Sequence, residues 1–190
     1  MIFYALTIFN NGISGELTGS EQTLIVGAVQ ILSCLLATAL VHVLGRRILL
    51  TISSALMGLF LILLGWFFNL RDIDPEYDDI YWWMPPTWTT LFFAAFNIGV
   101  GPISWSLLGD IFPVEIKLAA AASAAGFSWL ISLIATLTFV EMIVIFGVPK
   151  TMWLFAAFCW IAAVFCAFFV KDTSGKSLME IQNDFRINYG

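Results

Sequence analysis

The sequence predicts an all-α protein of the polytopic membrane class: a helix bundle with five full spans and the end of a sixth. Composition is the first observation. Hydrophobic residues make up 61 % of the chain and charged residues 11 %, against about 25 % charged in an ordinary soluble domain. Length is the second. Five apolar runs, roughly 24–44, 48–68, 88–108, 118–140 and 152–170, approach the ~20 residues that a helix needs to cross a bilayer. The third is punctuation, since glycine, proline and nearly all the charges fall between these runs.

Taken in order, residues 1–9 (MIFYALTIF) are apolar but too short to span, and read as the outer end of a helix. They lack the basic flank and cleavage site of a signal peptide, so no leader is expected there. Asn10 to Ser20, with Gly12, Gly15 and Gly19, is a polar loop. The longest connection, 69–87, carries Asp72, Asp74, Glu76, Asp78 and Asp79, then Tyr81, Trp82 and Trp83, which suit the headgroup level. The fourth span opens on small residues, Ala119–Ala122 and Ser123–Gly126, that let helices pack closely. The last span holds no ionisable group and reads as a lipid-facing support. A half-bundle over 1–170 is thus followed by a tail over 171–190, in which Asp172 and Thr173 can cap a short amphipathic helix carrying Leu178, Ile181 and Phe185.

Basic residues set the orientation. Arg46, Arg47, Lys117, Lys171, Lys176 and Arg186 fall on one side by alternation, leaving Arg71 and Lys150 on the other, so six of the eight place the tail in the cytoplasm and the acidic loop outside. The expected setting is a multi-pass protein of the plasma membrane, with the lipid bilayer as its solvent. No basic face exists for nucleic acid. Cys34, Cys159 and Cys166 lie inside apolar runs without metal or redox spacing and read as small packing residues, so no metal or cofactor is expected. An enzyme is not expected either: the lone His42 sits beside two arginines with no nucleophile.

The chain is organised around residues 96–117, FNIGVGPISWSLLGDIFPVEIK. Pro102 removes a backbone donor and demands a kink, which Gly99 and Gly101 ease. A helix broken at membrane depth needs a lined cavity, because lipid cannot satisfy the freed carbonyls. Trp105, one turn beyond, offers a flat apolar face and one N–H donor, a combination suited to a sugar. Gln30 lies mid-span, where an amide either ties two helices or faces a cavity. Asn97 shares a helix face with Trp105 and divides in the same way between ligand contact and helix glue. Ser128 and Trp129 repeat the pairing of a polar residue with a tryptophan, and Ser128 can instead bond its own helix.

Four motifs, in order across nearly the whole chain, resemble the carboxy-terminal half of a sugar transporter of the major facilitator superfamily, of the glucose or insect trehalose facilitator type. They are Gly45-Arg46-Arg47, the stretch Gly101 to Trp105, Asp110-Ile111-Phe112-Pro113 with Lys117, and Asp172 to Ile181. The resemblance implies half of a twelve-helix fold and facilitative sugar transport by alternating access. It implies sugar contacts at Gln30, Phe96, Asn97, Trp105, Ser128 and Trp129, and an outer gate at Tyr4. Arg46, Arg47, Asp110, Lys117 and Asp172 become an inner gate of weak ion pairs. The partners implied are a sugar and either the missing amino-terminal half or a full-length homologue.

Departures from the motifs bear on specificity. His42 stands where the family has an acid, Ser104 and Lys171 replace prolines, and Ser128 replaces an asparagine. Alone, the chain is expected not to transport, and Trp105 is expected to face an open groove rather than lipid. The competing function is a truncated, non-transporting membrane protein that associates with or regulates a full-length transporter through its small-residue face.

Overall fold

The computed structural model describes residues 19–74, 81, 83–111 and 116–170, all helical apart from short joints. Among the described residues six helices follow one another: α1 (Gly19–Leu44), α2 (Arg46–Ile73), α3 (Met84–Ile98), α4 (Val100–Ile111), α5 (Lys117–Phe146) and α6 (Val148–Phe169). Helices α3 and α4 are two pieces of one crossing, so five candidate spans result. At 28 residues α2 measures about 42 Å, enough to cross a bilayer with some tilt.

Two joints are single glycines. Gly45 between α1 and α2 has φ 79°, and Gly147 between α5 and α6 has φ 83°. Both lie where a Cβ would be strained, so each lets one helix stop and the next start within a residue. Pro149 then enters the first turn of α6, where its missing N–H leaves no gap.

Helix α2 is the centre of the bundle, packed most extensively on α6 and next on α3. Its buried positions, among them Leu50, Ser54, Met57, Leu61, Leu64 and Phe68, recur at helical spacing along a broad stripe. Against α6 the fit is specific. Gly58 lies under the indole of Trp160, and Gly65 under that of Trp153; a Cβ added there would stand 2.8 Å and 2.6 Å from the respective rings. The two glycines and the two tryptophans are each seven residues apart, so the antiparallel helices repeat one notch after two turns. Trp153 Nε1 also donates to the Ile62 carbonyl at 3.4 Å.

The core divides between the two ends. Leu61, Leu64, Phe67, Phe68, Phe139, Met152 and Ala156 fill one end, and Leu49, Leu50 and Ile103 the other. Helix α5 contributes one buried residue, Phe139. It touches α6 and, slightly, the end of α4.

Candidate functional site

The site is built on the break between α3 and α4. It falls at Gly99, whose backbone (φ −129°, ψ −74°) leaves the helical region. Three residues on, Pro102 supplies no N–H, and the ladder resumes with Ile103 N donating to the Gly99 carbonyl at 3.1 Å. Gly99 is buried against α2. A Cβ there would meet the Ser53 Cβ, with Ser53 Oγ at 2.7 Å and the Leu49 carbonyl at 2.9 Å.

Freed backbone groups in a membrane must be paired. Here the pairing comes from α2. Ser53 Oγ donates to the Ala95 carbonyl at 2.5 Å and accepts from the Val100 N–H at 3.3 Å, bridging the two sides of the break. Ser53 is 2 % exposed. By contrast, Thr38, Thr51, Thr87, Thr90, Thr136 and Thr151 each donate within their own helix, to the carbonyl four residues back. A serine inside an apolar span is an ordinary sight, so nothing in the sequence singled out Ser53.

Beyond the break, α4 turns different faces to different neighbours. Ile103 is buried in the core. Pro102 and Ser106 line a cavity of about 190 Å3 shared with Cys34, Thr38 and Val41 of α1 and with Arg46. Trp105 lies outside that lining, on the adjoining face, and is 52 % exposed. On α5, Trp129 is 68 % exposed and Ser128 is exposed beside it. Gln30 of α1 is half-buried, as are Phe96 and Asn97 of α3. Asn97 Nδ2 donates to the Phe93 carbonyl at 2.8 Å, which uses one of its donors and fixes the amide along its own helix.

The two adjacent arginines part company. Arg46 lines the α1–α4 cavity. Arg47, one residue and so about 100° round the helix, reaches α6: its Nε donates to the Ala167 carbonyl at 3.0 Å, and its Nη2 donates to the same oxygen. That carbonyl belongs to the last turn of α6, which has no partner within the helix, and a cation suits that negative end. Lys117 is exposed at the start of α5. Asp110 belongs to the last turn of α4. Tyr4 and Asp172 lie outside the described residues. No group of three or more metal-ligating side chains occurs among the described residues.

A multi-pass helix bundle with a broken crossing and a small, mainly apolar cavity beside the break defines a protein of the polytopic membrane class. The comparisons go further. The family model described as "Sugar (and other) transporter" matches residues 1–185, and the chain belongs to that family. It is 40 % identical over 185 residues to the facilitated trehalose transporter Tret1 of Bombyx mori, covering 96 % of this chain and 36 % of that one. It is 38 % identical over 182 residues to the Tret1 of Polypedilum vanderplanki, with the same two coverages. Its backbone matches a double-tryptophan variant of XylE at a TM-score of 0.82 and 26 % identity, over 96 % of this chain and 38 % of that one. A structure of the proton:xylose symporter XylE bound to 6-bromo-6-deoxy-D-glucose matches at 0.80, also with 26 % identity. The fold is that of the major facilitator superfamily, and the chain spans about a third of the length of these relatives.

Proposed function

We propose that this chain forms one wall of a sugar path in a longer carrier, which moves a hexose or trehalose across the plasma membrane by alternating access. The observation that carries the reading is the break at Gly99, held by Ser53, with Asn97 before it and Trp105 presented beyond it. Around such a break a sugar can stack its C–H face on Trp105 and Trp129 and bond its hydroxyls to Gln30, Asn97 and Ser128, with Phe96 as apolar lining. The kink at Gly99, Gly101 and Pro102 brings these groups around the break. One half then rocks against the other around this site.

The inner gate in this reading uses Arg46, which lines the cavity between α1 and α4, together with Asp110, Lys117 and Asp172. Arg47 serves first as a clamp on α6, since its guanidinium is already engaged with Ala167. Tyr4 is the outer gate, and the tail lies in the cytoplasm.

Reconstitution tests the reading. The chain is co-expressed with the amino-terminal half of a Tret1 relative and placed in liposomes, and uptake of labelled trehalose and glucose is measured. Saturable uptake by the pair and none by the chain alone is expected. Uptake by the chain alone, or by the pair with Trp105→Ala at an unchanged rate, would overturn it. A second reading draws on the bareness of α5, in which one side chain of the helix is buried: association with a full-length relative through Ala121 and Ala125. A specific crosslink from these positions to a co-expressed carrier supports that reading, and its absence removes it.

A further inference from the structure

We propose that Ser53 is a positioning residue: its hydroxyl is the pin that sets the angle between α3 and α4, and so the direction in which α4 presents Trp105 and Ser106. The role in transport rests on reading the α3–α4 crossing as a wall of the sugar path; the pinning itself does not.

The break has weak means of holding its own angle. Pro102 supplies no N–H to the ladder, Ser104 adds no further ring constraint, and Gly99 has no side chain to pack. Each of these leaves out one hold, a hydrogen bond, a ring or a side chain, where two helical pieces meet. The hydroxyl of Ser53 sits at that point with both of its functions in use. Its donor goes to the Ala95 carbonyl, before the break, and its acceptor takes the Val100 N–H, after it. One oxygen is therefore bonded to both helical pieces at once, and any change of angle at Gly99 must lengthen one of the two bonds.

The anchor behind the pin is firm. Ser53 belongs to α2, the most buried helix, which is notched against α6 through Gly58 and Gly65. The absence of a Cβ at Gly99 lets the α2 backbone come close enough for the hydroxyl to reach, with the Leu49 carbonyl 2.9 Å from where that Cβ would stand. On the far side α4 is held more lightly: it seats Ile103 in the core, but it shares little surface with α5, and Trp105 is half exposed. A rigid post, a two-way bond and a light arm together make a pivot. Because each bond is worth only a modest net free energy, the arm can leave and return without unfolding either piece.

Spin labels at Thr87 on α3 and Ser104 on α4, both exposed, report the angle by pulsed dipolar spectroscopy. The chain is held in lipid nanodiscs, with Cys34, Cys159 and Cys166 replaced by alanine. The expected result is one narrow distance distribution with Ser53, a broadened or shifted one with Ser53→Ala, and the narrow one restored by Ser53→Thr, which returns the hydroxyl. An unchanged distribution in Ser53→Ala overturns the pin. Equal broadening in the alanine and threonine variants assigns the effect to packing and overturns it as well. Hydrogen exchange at the Val100 amide supplies a second measurement, expected to be about tenfold faster in Ser53→Ala. Should that variant not insert, the unsubstituted chain decides. Exchange at Val100 within about tenfold of the Ala95 amide supports the pin, and exchange at the rate of an unbonded amide overturns it. None of these readouts involves sugar, so loss of the carrier reading in the reconstitution leaves this result standing, and the reverse.

Discussion

On one side of the bundle α2 and α6 interlock, with Trp153 and Trp160 laid over Gly65 and Gly58 at the same seven-residue interval. On the other side α5 buries one side chain, Phe139, in 30 residues, and Trp105 and Trp129 stand 52 % and 68 % exposed. Both sides are apolar and rich in small residues, yet only one uses them to close a joint. Small residues make close packing possible; it takes a large partner in register to make it happen. The glycines of α2 have such partners in α6. Gly126 of α5 has none, since a Cβ there would meet nothing within 4 Å.

The largest effect is expected where the interlocked side is broken. Gly58→Ala with Gly65→Ala places two methyl groups against indole rings, each also 3.3 or 3.1 Å from a backbone carbonyl, that of Ala156 or Pro149 respectively. Overpacking typically costs ~1–3 kcal/mol per site, and adjacent notches on one helix pair will not add fully. A combined loss of about 2 to 4 kcal/mol is expected, read as a lowered unfolding midpoint in detergent or nanodiscs. Gly126→Ala is the matched control on the open side and should change that midpoint little.

Next comes the break itself. Gly99→Ala sets a methyl group against Ser53 and the Leu49 carbonyl, and a backbone oxygen cannot rotate away. A loss of about 1 to 3 kcal/mol is expected, with α4 displaced from α2. If the midpoint does not move, the close approach of α2 and α3 at this level is not what holds the break.

How much of this could be read from the sequence follows the range of the interaction. The spans were legible because a bilayer imposes a length and excludes charge, both local properties. The break was legible because glycine and proline act on their own backbone. Ser53 was not, since its importance depends on the residue of another helix that comes opposite it. The last span read as a lipid-facing support because it holds no ionisable group. Its tryptophans are in fact also packing elements, with Trp153 39 % and Trp160 44 % exposed, and register with α2 decides that. Arg46 and Arg47 read as one gate pair. Adjacent residues point about 100° apart on a helix, so one lines the cavity and the other caps α6.

That separation can be tested directly. Arg47→Ala removes a cation and two N–H donors from the end of α6. A loss of about 1 to 2 kcal/mol is expected, confined to faster hydrogen exchange in the last turn of α6. Arg47→Lys should recover part of it, because the charge remains and the paired donors do not. Equal effects of both substitutions on the first turn of α2 alone would show that the clamp is not what Arg47 provides.

The smallest effect on stability is expected on the open side, and there it says most about function. Trp129 and Trp105 cover little of the fold, so replacing either with alanine should move the unfolding midpoint of the chain by less than about 0.5 kcal/mol. A tryptophan so exposed contributes little packing to lose, in contrast to Trp153 or Trp160, whose rings fill notches. In the reassembled carrier the order should reverse. Trp105→Ala is expected to cut sugar uptake at least about tenfold, the scale of losing a stacking surface and a donor at a binding site, while Trp160→Ala lowers the amount of folded protein and leaves the uptake per folded molecule near its original value. If Trp105→Ala instead destabilises the chain and spares uptake, Trp105 belongs to the packing of α4, and the open face of this bundle is not the sugar's wall.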